Sequence, residues 1–315
     1  MNFGLGTDNL DAVKAYLQLV RVPNLFTAAA DAAAGFALMA AVDGTLNRPH
    51  FLRLAALMAI SAALYASGVI FNDCLDADYD RQHRPDRPIP SGAVALQHAF
   101  YLGVGLTLAA LLAAMFLGQA TVLYAALLIT AIWLYNGVFK RFVLPGAAAM
   151  GLCRFLNMQL GMSTGMSLPF FSVRLWPELL VAPLLLAAYS ATITLVATYE
   201  DRPAGRSGPW MLFGSAVGIV LVLVAAALAV VQTVAGWAVL GLLVLVLAGT
   251  FLAPLVRLTF ASVRRAVGVA VIMVIAFDAA LILGVPDSPM ALWLGLGVLA
   301  SVVPAAWLAR SMSPS

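Results

Sequence analysis

Five of the chain's fourteen acidic residues fall between Asp73 and Asp86. That stretch opens Asn72-Asp73-Cys74-Leu75-Asp76-Ala77-Asp78-Tyr79-Asp80 and continues Arg84-Pro85-Asp86-Arg87-Pro88-Ile89-Pro90-Ser91-Gly92. If the apolar helix before Asn72 runs on, Asp73, Asp76 and Asp80 are three and four residues apart and stack on one face. Carboxylates this close repel one another unless cations neutralise them. Mg2+ suits such a set, because it takes oxygen ligands and shares its shell with substrate phosphates. Arg81, Arg84 and Arg87, which follow, are suited to phosphate oxygens through forked hydrogen bonds. The chemistry these residue types allow is therefore the metal-assisted handling of a phosphorylated substrate. The plainer reading is a solvated connector whose acids pair with its own arginines, the usual meaning of a charge run. The regular spacing, the leading Asn72 and the Arg-Pro tail favour the site.

The elements that must position these residues are membrane helices. The 315 residues are 63% hydrophobic and 10% charged, with a mean hydropathy of +1.00. A soluble domain is nearer 45–50% apolar and about 25% charged, so disorder, a disulfide scaffold and an ordinary soluble enzyme are excluded. Ten apolar runs are long enough to cross a bilayer, near 20–42, 51–71, 93–117, 119–138, 143–162, 177–199, 209–232, 235–255, 265–284 and 290–309. They are continuous rather than alternating, which argues against a barrel. The expected fold is an all-α polytopic transmembrane bundle of nine to ten helices in one domain, residues 1–315.

With the N-terminus inside, thirteen Lys and Arg fall on the inner side and three, Arg48, Arg53 and Arg174, on the outer, with Arg154 inside a helix. This asymmetry places both termini and the acidic stretch on the cytoplasmic side. The seventeen basic residues are scattered along loops, which gives no nucleic-acid footprint. Cys74 and Cys153 form no framework, and His50, His83 and His98 lack the spacing of a metal site. Asp8 and Asp11 stand where a signal peptide carries positive charge, so no cleaved leader is expected.

A few polar residues interrupt the apolar runs. Asp31 sits in the middle of the first helix, where an ionised carboxylate is expensive; it is either on a cavity wall or a packing residue, protonated or paired with Arg154. Asn24 is one to two turns nearer the inner face, closer to any phosphate. Arg154 and Asn157 are three apart on the fifth helix and share a face; the arginine needs an anion, a diphosphate or Asp31. Asp278 has no evident partner. Phe26, Tyr65, Tyr124, Trp133, Tyr135 and Tyr189 either line a cavity or pack against lipid. The Gly and Ala of the first and third helices read as close helix packing.

Asn72-Asp73-xx-Asp76-xxx-Asp80 with Arg84-Pro-x-Arg87-Pro-x-Pro-Ser-Gly92 resembles the first aspartate-rich motif of the UbiA superfamily of intramembrane prenyltransferases. The resemblance extends to Arg21-x-Pro23-Asn24 and to Tyr135-xxxx-Lys140-Arg141, while Gly151-Leu-Cys-Arg154-Phe-Leu-Asn157 and Thr198-Tyr-Glu200-Asp201-Arg202-Pro are similar to its EboC-like branch. It implies a bundle around a lateral cavity that opens to the membrane and holds Mg2+ and a polyprenyl diphosphate between two acidic motifs. By that resemblance Asp73, Asp76, Asp80 and Asp201 are the catalytic and metal-binding residues. Asn24 and Asn72 orient the metal's shell. Arg84, Arg87, Lys140 and Arg141 hold phosphate oxygens, and Arg154, Asn157 and Glu200 touch substrate. The second motif departs from the superfamily pattern, since Thr198 and Gly205 stand where outer aspartates belong. One Mg2+ site, on the first motif, is therefore expected rather than two of equal strength.

The implied activity is Mg2+-dependent transfer of a prenyl group from a lipid diphosphate to a small acceptor in the bilayer, with release of diphosphate. The rival is a lipid or metabolite translocase on the same scaffold, which ten crossings and the intramembrane Asp31, Arg154 and Asp278 would also suit. Inverted repeats would favour that rival, and none is evident. A phosphotransferase using a CDP-linked donor would carry a glycine-bearing DG-xx-AR motif that the chain lacks.

Overall fold

The computed structural model describes residues 7–46, 50–163, 177–198, 208–256 and 259–312. The described residues are helical, joined by short turns. The helices are α1 (Thr7–Leu19), α2 (Val22–Val42), α3 (Phe51–Leu75), α4 (Ala77–His83), α5 (Leu96–Leu117), α6 (Gln119–Gly137) and α7 (Val143–Met162). They continue with α8 (Pro177–Ala197), α9 (Gly208–Val230), α10 (Val234–Val256), α11 (Phe260–Ile272), α12 (Val274–Leu283), α13 (Pro289–Ala300) and α14 (Val302–Met312).

Each of the ten expected runs is helical. Two of them are broken once, at Met273 between α11 and α12 and at Ser301 between α13 and α14. Eight spans among the described residues are long and apolar enough to cross a membrane by length and composition. The two other expected crossings are α7, with twenty residues, and α9, whose apolar part is Gly214–Val230. A continuous helix is the form in which an apolar segment satisfies its own backbone in lipid. Large side chains such as Leu52, Phe116, Leu245 and Trp293 stand exposed on the outside, where a bilayer would cover them. The nearly fused runs around Gly118 are parted by that glycine, whose φ of 130° suits a residue without Cβ.

Two elements depart from expectation. The second apolar helix does not run unbroken through the acidic stretch. It breaks at Asp76 (φ −92°, ψ 5°) and resumes as α4. Helical bonds bridge the break, Asp76 N to Asn72 O at 3.0 Å and Asp80 N to Asp76 O at 2.8 Å, so the aspartates stay near one another. The other is α1, too short and polar to be a span. Its Ala15 and Leu19 are buried with Ile70, Ala77, Ile89, Val94 and Ala99, so α1 packs against the acidic loop from below.

Side-chain bonds show which ends lie together. Gln18 Nε2 donates to Met312 O at 3.2 Å, which puts the start of α2, the end of α14 and the acidic stretch at one face. At the other face Thr121 and Ser163 share a hydrogen bond of 2.8 Å, and Thr233 Oγ1 donates to Leu283 O at 2.5 Å. Among the described residues the two ends of the chain thus lie together, the arrangement that an even number of crossings gives. At the centre α2 packs against α3, α7 and α12. There α2 and α7 approach so closely that a Cβ on Gly35 would lie 2.0 Å from Met158 O, and one on Gly161 2.2 Å from Ala32 O. The small residues of α2 thus serve packing, as their spacing suggested.

Single cysteines introduced as Asp11→Cys, Gln82→Cys and Ser311→Cys, on a background lacking Cys74 and Cys153, are expected to react with an impermeant thiol reagent from one side only. Asp43→Cys and Asp287→Cys should react from the other. Labelling of positions 11 and 311 from opposite sides would refute the even count.

Candidate active site

The acidic face is assembled from four pieces of chain. The last turn of α3 and the short α4 carry Asn72, Asp73, Asp76 and Asp80, and the loop after α4 carries Arg87. Lys140 comes from a single 3-10 turn, Phe139–Arg141, that follows α6. Arg21 sits between α1 and α2 in a left-handed conformation (φ 51°, ψ 57°), a backbone region few non-glycine residues occupy. Pro23 in the first turn of α2 fixes the helix start beside it.

Each of the three stacked carboxylates meets a cation. Arg21 Nη2 donates to Asp73 Oδ1 at 2.8 Å, Lys140 Nζ to Asp76 Oδ1 at 2.6 Å, and Arg87 Nη1 to Asp80 Oδ2 at 2.7 Å. Burial opposes the charge on Arg21, but the Asp73 carboxylate more than offsets it and holds the guanidinium pKa above its ordinary value. Two of the cations sit between two oxygen donors. Arg87 Nη1 also lies 3.4 Å from Asp73 Oδ1, and Lys140 Nζ lies 3.0 Å from Asn72 Oδ1. These are two seats for positive charge, lined by hard oxygens. Among the described residues no three His, Cys, Asp or Glu side chains converge into a metal cage. An oxygen set of this kind fits Mg2+, which binds through a few carboxylates and completes its shell with water and phosphate.

The remaining charges of the stretch are divided. Asp78 points outward and pairs with Arg81. Arg84 is half-buried on the loop and does not line the cavity. Arg141, expected beside the phosphates, is exposed, because the 3-10 turn carries Lys140 inward and its neighbour outward. Glu200 and Asp201 lie outside the described residues.

Beside the acidic face opens a cavity of about 330 Å3. Arg21, Asn24 and Asn72 line it at the acidic end, and Tyr65 and Tyr135 line its wall. Asn24 thus stands where the sequence suggested. Of the other aromatics, Trp133 faces an outer groove against Phe71, and Tyr189 is fully buried, its hydroxyl donating to Ala270 O at 3.0 Å. Tyr124 is buried in the core, and Phe26 packs against it.

Deeper in the cavity lies a polar cluster. Arg154 Nη1 donates to Asp31 Oδ2 at 2.8 Å and Nη2 to Thr27 Oγ1 at 2.8 Å, with the guanidinium 5.6 Å from the Tyr65 ring. Asn157 Nδ2 donates to the same Asp31 oxygen at 2.8 Å, and Ser61 Oγ lies 2.7 Å from Asn157 Oδ1. Asp31 is 0% and Arg154 8% exposed, so the ambiguity over Asp31 resolves to a packing carboxylate paired with Arg154. Arg154 and Asn157 still line the cavity. Asp278 is carried by α12, which packs on α2, and its carboxyl neighbours Asp31 without a hydrogen bond to it, a placement that no sequence spacing announces. Arg21 as the partner of Asp73, and Ser61 and Ser190 on the cavity wall, were likewise not picked out. For Arg21 the signal was present in the Arg-x-Pro-Asn run, while for the two serines there was none.

Residues 31–266, three quarters of the chain, match the sequence profile of the UbiA prenyltransferase family. The chain belongs to the UbiA prenyltransferase family. Among curated relatives, it is 34% identical to the digeranylgeranylglyceryl phosphate synthase of Ignicoccus hospitalis over 138 residues, 44% of this chain and 43% of that one. It is 26% identical to the enzyme of the same name from Sulfurisphaera tokodaii over 60% of this chain and 65% of that one. The chain thus spans about half the length of the curated relatives it matches. Solved structures share the fold more fully. A structure of digeranylgeranylglyceryl phosphate synthase in membranes superposes with a TM-score of 0.59 at 18% identity, covering 87% of this chain and 98% of that one. A UbiA homolog from Archaeoglobus fulgidus bound to DMAPP and Mg2+ superposes with a TM-score of 0.60 at 13% identity, covering 90% and 99%.

Removing one partner of the buried pair leaves an uncompensated charge. Asp31→Leu and Arg154→Met are each expected to destabilise the bundle by about 3–5 kcal/mol. The double variant should recover most of that loss. Thermal unfolding of the three proteins in one detergent checks this, and a double variant as unstable as the sum of the singles would refute the pairing.

Proposed function

We propose that this UbiA-family chain transfers a prenyl group from a polyprenyl diphosphate to a small acceptor inside the bilayer, in a Mg2+-dependent reaction that releases diphosphate. The observation that carries the reading is the pair of cation seats, Arg87 Nη1 between Asp73 and Asp80 and Lys140 Nζ between Asn72 and Asp76, at one end of an apolar-walled cavity. A diphosphate with a hydrocarbon tail is the ligand that needs both features together. A translocase would need neither the paired seats nor the oxygen donors.

In this reading Asp73, Asp76 and Asp80 hold Mg2+, which when bound withdraws charge from the leaving diphosphate. Asn72 and Asn24 orient that shell. Arg21, Arg87 and Lys140, each paired with a carboxylate in the free protein, turn to phosphate oxygens and stabilise the charge that grows as the C–O bond breaks. Tyr65 and Tyr135 present their rings to the cavity in which positive charge develops on the prenyl carbon. Water is kept out by Leu128, Ile132, Met150 and Ile193, which complete the wall. The acceptor attacks that carbon and gives up a proton.

Three finer points belong to the same proposal. The thirteen-to-three excess of Lys and Arg puts the acidic end and both termini on the cytoplasmic face. The degraded second motif leaves Asp201, with Glu200, to support a weaker second metal or the acceptor. Placement in the EboC-like branch rests on Gly151–Asn157 and on the residues from Thr198 to Pro203; the digeranylgeranylglyceryl phosphate synthases bear on the family as a whole.

Asp76→Asn and Asp80→Asn are expected to abolish Mg2+-dependent release of diphosphate from geranylgeranyl diphosphate while leaving the thermal midpoint within a few degrees of the wild type. Full activity in either would remove the metal assignment. Asp201→Ala should reduce activity less than Asp76→Ala, and a Mg2+ titration of the wild type should show one strong site. Two sites of equal affinity would sink the single-metal reading.

A further inference from the structure

The cavity carries polar groups at two depths. Arg21, Asn24 and Asn72 stand at the acidic end, while Arg154, Asn157, Ser61 and Ser190 stand further in. Asp31, which anchors Arg154, is ten residues along the chain from Arg21, roughly 15 Å at the rise of a helix. Of the four inner residues that line the cavity, one has an unmet need, while Asp31 Oδ1 and both Asp278 carboxyl oxygens also lack a partner. Ser190 is 5% exposed, lines the cavity, and its Oγ has no hydrogen-bond partner among the described residues. A serine inside a helix ordinarily bonds to a carbonyl one turn back. Thr192 and Thr194 of the same helix do so, at 2.8 Å to Ala188 O and 2.9 Å to Ser190 O. Ser190 does not, and a buried hydroxyl facing a cavity without a partner is a group waiting for a guest.

The charge at this end can be counted. Arg21 and Arg154 are the only cations among the described residues that line the cavity. Arg21 is held by Asp73 at the acidic end. Arg154 is neutralised by Asp31, and Asp278, a second carboxyl, lies against Asp31. With Asp31 ionised against Arg154, the inner cluster carries no net positive charge in either form of Asp278. A phosphate monoester brings a charge of about −1.5 to −2, and an unpaired anion in a low-dielectric interior is expensive. A neutral hydroxyl or carbonyl asks for no counter-charge. It meets Ser190 Oγ and the guanidinium N–H groups that Asp31 and Thr27 leave free, two of the five being taken.

We infer that the inner end of the cavity is the acceptor's headgroup site, with Ser190 and Arg154 as its recognition groups, and that it takes an uncharged hydroxyl- or carbonyl-bearing group rather than a phosphate ester. This rests on the prenyl-transfer reading. It separates the chain from the digeranylgeranylglyceryl phosphate synthases it matches, whose product is named as a phosphate.

A matched pair of probes tests it: the geranylgeranyl ether of glycerol and the phosphate monoester of that ether, which share one hydrocarbon. In the purified protein with Mg2+, the neutral ether is expected to raise the thermal midpoint and to be prenylated from geranylgeranyl diphosphate. The phosphate ester should bind at least tenfold more weakly. Ser190→Ala removes an unpartnered buried hydroxyl, so its ligand-free midpoint should equal or exceed that of the wild type. Yet KM for the neutral ether should rise roughly tenfold, with KM for geranylgeranyl diphosphate unchanged. Equal or tighter binding of the phosphate ester, a midpoint that neither compound moves, or a Ser190→Ala variant with wild-type KM for the neutral ether would each overturn the inference. Failure of the prenyl-transfer reading would look different. Geranylgeranyl diphosphate would release no diphosphate with Mg2+, while the two midpoint shifts would still rank the headgroups.

Discussion

Asp31 and Arg154 face one another from α2 and α7 in the middle of an apolar bundle, and a bilayer leaves neither free to be there alone. The cost of an unpaired charge at that depth is what makes their 2.8 Å contact a fixed point. Once it is made, the neighbours are constrained. Asn157 shares the same Asp31 oxygen, Ser61 of α3 reaches Asn157 and the Ala28 carbonyl, and Asp278 brings α12 against α2. Four helices are thereby registered at one level. The close approach at Gly35 and Gly161 follows, since the polar contacts between α2 and α7 are short only when the two backbones nearly touch.

The same rule operates at the face, with a different result. Arg21, Lys140 and Arg87 come from three separate segments, and each is drawn to one of the stacked aspartates. The Lys140–Asp76 pair is part-exposed and screened by water, while the buried Asp73 and Asp80 lose to desolvation much of what their arginines contribute, so each pair adds little net stability. Their effect is on position. The carboxylates are held together by cations rather than splayed by repulsion, and the cations are held within reach of any phosphate that arrives. Guest binding then exchanges partners among groups already in place, which keeps the reorganisation small. The packing of α1 beneath the loop, through Ala15 and Leu19, serves the same end by fixing the floor on which the pairs stand.

How much of this the sequence disclosed depends on the range of the interaction. The ten crossings are local facts, since twenty apolar residues with no partner for their backbone have to be helical, and all ten runs are. The acidic face is nearly as local, because Asn72, Asp73, Asp76 and Asp80 are joined by helical spacing. Its cations are less so. Arg87 is near in the chain, but Lys140 and Arg21 lie sixty-four and fifty-two residues away from the carboxylates they meet, and only a resemblance pointed to them. Arg141 shows the limit, since whether a basic residue turns inward or outward in a one-turn helix is decided by a single torsion that composition does not record. The nearness of Asp31 to Asp278 joins distant parts of the chain. For Asp31 the sequence already offered Arg154 as a partner, while for Asp278 it offered none, although the expense of an acid in lipid was itself a clue that each needed a particular setting.

The division of the cavity into two ends has a consequence for how such a protein changes its acceptor. At the acidic end the groups are charged, their partners come from α3, α4, the 3-10 turn and the α1–α2 junction, and any change there disturbs several pairs at once. At the inner end Arg154 is paired with Asp31, and the groups left over on the cavity wall are a serine hydroxyl and part of a guanidinium, with Asp31 Oδ1 and the Asp278 carboxyl unpartnered as well. A substitution at Ser190 breaks no ion pair and no side-chain hydrogen bond. Under the proposed reading, the diphosphate chemistry would be held by interactions that resist change, while recognition of the acceptor would rest on a hydroxyl and a charge-neutralised guanidinium, the first of which a single substitution can alter. Between them lies the stretch walled by Tyr65, Tyr135, Leu128 and Ile132. If the diphosphate is held at the acidic end, the prenyl carbon bonded to it lies at the near end of that stretch, and the acceptor's nucleophilic group has to reach it from the inner side, past two aromatic rings.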